Sequence, residues 1–71
     1  MKKKYDKRHG GPFDRGGADS YYGRGRNPHY YVKGTGTSRR VDKKDMTEEE
    51  IEAYHAGYDE NESLGDKKEW N

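Results

Sequence analysis

The sequence contains no cysteine, and its 71 residues include only two prolines and one phenylalanine. Without cysteine, disulfides, thiolate metal sites and cysteine nucleophiles are excluded. Long apolar runs are missing too: nothing approaches the ~18 residues that would cross a membrane. The basic opening Met1-Lys2-Lys3-Lys4 is followed by no apolar segment, so it does not read as a signal peptide. A cytoplasmic protein with no membrane partner is the expectation. Aliphatic residues are also scarce. Leu, Ile, Val and Phe together number five (Val32, Val41, Ile51, Leu64 and Phe13), far below the roughly 20% under which a chain is suspected of disorder. A core this thin seldom walls off a catalytic pocket, and a non-enzymatic protein is expected.

What the chain does have is aromatic and charged. Seven tyrosines and one tryptophan stand among residues of which 41% are ionic. The formal net charge of +1 conceals a division between the halves. Residues 1–40 hold eleven Lys or Arg against three Asp, giving +8, and residues 41–71 hold four Lys against eleven Asp or Glu, giving −7. Such a division points to a basic segment that meets an anion, or to halves that neutralise each other when folded.

Residues 1–12 read as a mobile basic arm, ended by Gly10-Gly11-Pro12. Phe13, Gly17 and Tyr21 recur every four residues and predict a helix over 13–23, with Asn27-Pro28 as a turn after it. His29-Tyr30-Tyr31-Val32 has strand character but no evident partner, and it reads as an extended loop opening a connector over 31–46. From Lys33 to Asp45 the chain is a flexible stretch in which only Val41 has anything to bury. Thr47 and Glu50 then form a capping box, with Met46 and Ile51 as a hydrophobic staple across it. Ile51, Tyr54, His55 and Tyr58 continue one face, so a second helix is predicted over 48–60. Residues 61–71 are a polar tail in which Leu64 and Trp70 fold back as lids.

Two segments match as a weak repeat. Phe13-x-x-Gly16-x-x-Asp19 and Tyr54-x-x-Gly57-x-x-Glu60 share aromatic, glycine and acid at equal spacing. Two faces of that kind can cross closely, glycine against glycine, with aromatics at the flanks. The predicted fold is therefore all-α: a hairpin of two helices over 13–60, with a disordered basic arm and long loops.

Arg15-Gly16, Ala18, Gly23-Arg24, Pro28-His29-Tyr30, Tyr54, Gly57 and Tyr58 resemble positions of the bacterial ribosome modulation factor and its short relatives, some encoded by phages. The resemblance covers about residues 13–60 and implies a pair of helices and a ribosomal RNA target. The family's Cys-Pro-Tyr is Asn27-Pro28-His29 here, the connector is long, and the second half is acidic where the family is basic throughout.

The residues themselves also point to RNA. Tyr21-Tyr22-Gly23-Arg24-Gly25-Arg26, then Tyr30-Tyr31, interleaves guanidinium groups with rings, as segments that grip phosphate and stack on bases do. Phosphate contacts are expected from Lys2, Lys3, Lys4, Lys7, Arg8, Arg24, Arg26, Arg39 and Arg40, and stacking from Tyr30 and Tyr31. For Tyr21, Tyr54 and Tyr58 a place in the core is the better reading. The first function expected is thus binding to RNA, most concretely the ribosome, with an effect on translation. The alternative is a phage or accessory protein that binds and blocks a host protein through Glu48, Glu49, Glu52 and Asp59. No cofactor and no metal are expected, since His9, His29 and His55 have no ligand spacing. The first-turn glutamates are explained by the helix dipole, and no catalytic triad is spaced in the chain.

Overall fold

A computed structural model of the chain describes residues 5–33, 39–65 and 67–68. The elements run α1 (Pro12–Tyr21), β1 (His29–Tyr31), β2 (Arg40–Asp42), a single 3₁₀ turn (Lys43–Asp45) and α2 (Glu48–Leu64). The two helices are present where expected, but all-α gives way to two helices carrying a two-stranded sheet.

The first helix starts at Pro12, whose fixed φ suits the first helical position and whose missing N–H is no loss there. Asp14 reaches back to accept a hydrogen bond from the Gly10 N–H at 2.9 Å. The helix stops at Tyr21, short of the predicted 23, because Gly23 enters the left-handed region at φ 68° and returns its N–H to the Ser20 carbonyl. The second helix begins as predicted. The Glu50 N–H donates to Thr47 Oγ1 at 3.1 Å, and the Thr47 N–H donates to Glu50 Oε1 at 2.8 Å. It runs four residues past the predicted 60, to Leu64, and Gly65 closes it at φ 70° with its N–H on the Asn61 and Glu62 carbonyls. Thr47→Ala should lower stability by about 1 kcal/mol. Thermal melts of mutant and parent check this, and coincident curves would mean that the box contributes nothing.

The helices cross at the repeat. Gly16 lies on the backbone of Tyr54: a Cβ there would stand 2.9 Å from the Tyr54 carbonyl carbon and closer still to its oxygen. Gly57 lies on Phe13 in the same manner, 2.9 Å from that carbonyl carbon and 3.1 Å from its Cα. Each glycine therefore receives the backbone of the other motif's aromatic residue, and the crossing is reciprocal.

His29 to Tyr31 is a strand rather than an extended loop. It pairs antiparallel with β2, His29 opposite Asp42, Tyr30 opposite Val41 and Tyr31 opposite Arg40. In β2 only Val41 is buried, with Arg40 and Asp42 exposed on either side of it, so a period-two strand hides inside what reads as a charged connector. The other edge of β1 receives the N-terminal segment, where the Tyr31 N–H donates to the Gly10 carbonyl at 2.7 Å. Residues 5–11 are thus packed rather than free. Arg8 Nη1 donates to the carbonyls of Tyr31 (3.2 Å) and Val32 (3.0 Å), and the Tyr5 hydroxyl donates to Glu52 Oε1 at 2.8 Å. Lys2, Lys3, Lys4 and Trp70 lie outside the described residues, and Leu64 is exposed.

The apolar core is small: Val41, Met46 and Tyr54, with Tyr30, Ile51 and Tyr58 against it. Beside it sits a buried polar cluster. The Tyr54 hydroxyl donates to Asp19 Oδ2 and accepts from the Asn27 N–H at 2.9 Å. His29 Nδ1 donates to the Asn27 carbonyl at 2.7 Å, and Arg15 Nε donates to His29 Nε2 at 3.2 Å. Ser20 is buried as well and donates to Glu62. Among the described residues no buried side-chain nitrogen or oxygen lacks a partner. That satisfaction is what lets a chain so poor in aliphatic residues keep polar groups inside.

Candidate nucleic-acid interface

The interleaved arginines and tyrosines find each other. Arg24 lies over the Tyr22 ring at 4.7 Å, Arg26 over Tyr58 at 4.3 Å, Arg8 over Tyr30 and Arg15 over Tyr31 each at 5.6 Å, and Lys7 over Phe13 at 5.0 Å. Such pairs occur roughly once per 70–80 residues in proteins at large. Five among the described residues give the Arg–Tyr pattern an intramolecular use: cations cover the faces of rings that a thin core leaves half exposed.

The guanidinium groups of that pattern are also neutralised. Arg24 stands 3.7 Å from Asp19, and Arg26 pairs with Asp59 while Nη1 reaches His55 Nδ1 at 3.1 Å. Arg26 pKa is raised by its hydrogen bond with Asp59. Arg40 donates to Asp42 at 2.8 Å, and its pKa too is raised by that bond. Tyr30 and Tyr31 are half-buried. The Tyr30 hydroxyl is pushed up first by its hydrogen bond to Glu50 and then by burial.

On the acidic side, Glu52 takes the Tyr5 hydroxyl and Asp59 takes Arg26, while Glu48 and Glu49 stand exposed in the first turn of α2. Glu62 is pulled down by Lys67 and then by Ser20. Pairing between the halves is therefore real, as Arg26–Asp59 and Tyr5–Glu52 show.

What is left over lies along β2. Lys33, Arg39, Lys43 and Lys44 are exposed, and among the described residues no side-chain hydrogen bond or ion pair engages them. Lys33 follows β1 where the Val32 N–H meets the Arg39 carbonyl at 3.2 Å, so Lys33 and Arg39 share one end of the hairpin. Lys43 and Lys44 stand at the other end of β2, four or five residues on. At about 3.3 Å per residue the strip is some 13 Å long. Arg40 lies within it, and a concavity of about 280 Å³ bounded by Arg39, Arg40, Val41 and Asp45 runs beside it. Residues 33–45 hold five cations and two acids, a net +3.

The structure thus brings Arg39 and Arg40 together, with Arg8 on the Val32 carbonyl at the same end of the hairpin, and gives Arg24 and Arg26 acidic partners of their own. Lys33, Lys43 and Lys44 are the additions that sequence reasoning missed. The available signal was the spacing Arg39-Arg40-x-x-Lys43-Lys44, which brackets the buried Val41. The described residues contain no group of three or more metal-ligating side chains and no helix long and apolar enough to cross a membrane. No family model matches the chain, and neither a curated protein nor a solved structure does.

Proposed function

We propose that this chain is a small, non-enzymatic RNA-binding protein that meets phosphate along β2. Ribosomal RNA is the target implied by its resemblance to ribosome modulation factor. The observation that carries the reading is the contrast between two sets of cations. Arg8, Arg15, Arg24 and Arg26 are engaged by carbonyls, acids and rings, whereas Lys33, Arg39, Lys43 and Lys44 are exposed and unengaged among the described residues. Lysines and arginines flanking a short strand present charge to a backbone without first breaking an internal pair.

The test is the salt dependence of binding to ribosomal subunits. Four phosphates neutralised on a single-stranded region should give a slope of about −3 in log affinity against log salt. Changing Lys43 and Lys44 to Ala should make that slope shallower by about 1.4, roughly half. Arg24 and Arg26 changed to Ala should leave it where it was. Equal slopes for parent and the Lys43/Lys44 variant would remove the β2 strip from the reading.

A second reading rests on α2, whose seven acids face no base within the helix. Glu48 and Glu49 would then meet a basic patch on a host protein, as a phage or accessory inhibitor does. Under that reading Glu48→Gln with Glu49→Gln weakens binding. Under the RNA reading the same change tightens it slightly.

A further inference from the structure

His29 opens β1 and is 3% exposed, the most enclosed titratable ring nitrogen pair among the described histidines. Its hydrogen bonds fix its protonation. Arg15 has only donors, so the Nε2 atom that meets Arg15 Nε at 3.2 Å must offer its lone pair. The proton therefore sits on Nδ1, which donates to the Asn27 carbonyl at 2.7 Å. Both nitrogens are used, and the imidazole is neutral.

We propose that His29 is an acid-sensitive latch that holds the β1–β2 hairpin on the two helices. Neutral, it ties β1 to α1 through Arg15 and to the 24–28 loop through Asn27. A second proton on Nε2 would set N–H against N–H and cation against cation at a buried ring, and the strand would lose its hold on α1.

The groups around the ring come from every element that packs on it. Arg15 and Asp19 face it from α1, with Asp19 Oδ2 at 3.7 Å from Nδ1. Tyr54 faces it from α2, ring centroids 5.9 Å apart, and Tyr31 from its own strand at 5.8 Å. From β2 comes the charge of Arg40, while Asp42, opposite in register, is exposed and occupied by that same arginine. Asp19 is the one charged group that welcomes a proton on the ring, and it is already held by Tyr54 and Arg24. Burial is the largest influence and lowers the His29 pKa, and Arg40 and Arg15 lower it further against Asn27 and Asp19.

The sign follows from linkage. In the unfolded chain a histidine takes its proton near pH ~6.5, and in the fold His29 resists it. Its contribution is complete above that pH and is lost as the pH falls below it. As the pH falls below ~6.5 the unfolded-to-folded ratio should therefore rise, with His29 contributing to that rise. The inference stands whatever the hairpin binds.

The experiment follows the ring protons of the three histidines by NMR in the intact chain from pH 8 to 4.5, alongside denaturant unfolding at each pH. His29 should be more than half neutral at pH ~6.5, where an unperturbed histidine is half protonated. His29→Gln should lose that acid response, and His9→Gln should keep it. A His29 midpoint at or above ~6.5 would overturn the proposal, and so would a folded His29→Gln protein with the parent's pH profile. If that variant does not fold, the titration of the parent decides alone.

Discussion

Gly16→Ala is expected to strip the protein of most of its stability, while the same change one residue later, Gly17→Ala, makes it more stable. A methyl group on Gly16 would enter the Tyr54 carbonyl and stand 2.9 Å from the Tyr58 nitrogen, both of them backbone atoms that no rotamer change can move. The helices would have to separate, at a cost of about 3 kcal/mol or more. A chain this short has little more than about 5 kcal/mol to lose. Gly57→Ala should behave like Gly16→Ala, since it meets the backbone of Phe13. At Gly17 the methyl would touch only the Gly57 oxygen, at an ordinary 3.7 Å. There the helix propensity of alanine is free to act, worth about 1 kcal/mol and a rise in Tm of roughly 4–8 °C. Melting curves of the three variants read the result. Similar effects at positions 16 and 17 would show that the crossing is not where these residues place it.

Tyr54→Phe should be the most damaging loss of a single atom. Tyr54 is fully buried, and its hydroxyl both donates to Asp19 and accepts from the Asn27 N–H. Without that oxygen a buried carboxylate loses its hydrogen-bond donor and the Asn27 N–H its acceptor, which together cost about 3 kcal/mol. The hydroxyl is held in its protonated form by burial and then by Asp19, so alkaline pH should not imitate the mutation at first. Tyr58→Phe is the control: that ring is half-buried under Arg26, and the change should fall within about 0.5 kcal/mol. Chemical denaturation of both variants separates them, and equal midpoints would contradict the assigned role of the Tyr54 hydroxyl.

The parts legible in the sequence are those written in local spacing. Thr47 and Glu50 stand three apart, as a capping box needs, and the bonds form. The aromatic-x-x-glycine repeat has only three matched positions, yet steric logic carried it: glycine has no other use on a helix face made of large rings. The strand partner of His29–Tyr31 was not legible, because two of the three β2 residues point outward and are charged. The polar cluster was missed for a related reason. Asp19 and His29 look like surface residues one at a time, and only the fold brings Arg15, Asn27 and Tyr54 to satisfy them. Which cations stay free was a tertiary matter as well. Arg24 and Arg26 stand beside tyrosines and glycines as RNA-binding arginines do, but α2 returns Asp59 to one of them and α1 supplies Asp19 to the other.

The proposed RNA contact is tested most directly by mapping amide chemical shifts of the labelled protein during titration with a single-stranded ribosomal RNA fragment. Perturbations are expected at Lys33 and across Arg39–Asp45, fading as salt is raised, with Arg24, Arg26 and the exposed face of α2 little changed. Shifts confined to Glu48–Asp59, or none at any RNA concentration at low salt, would contradict it.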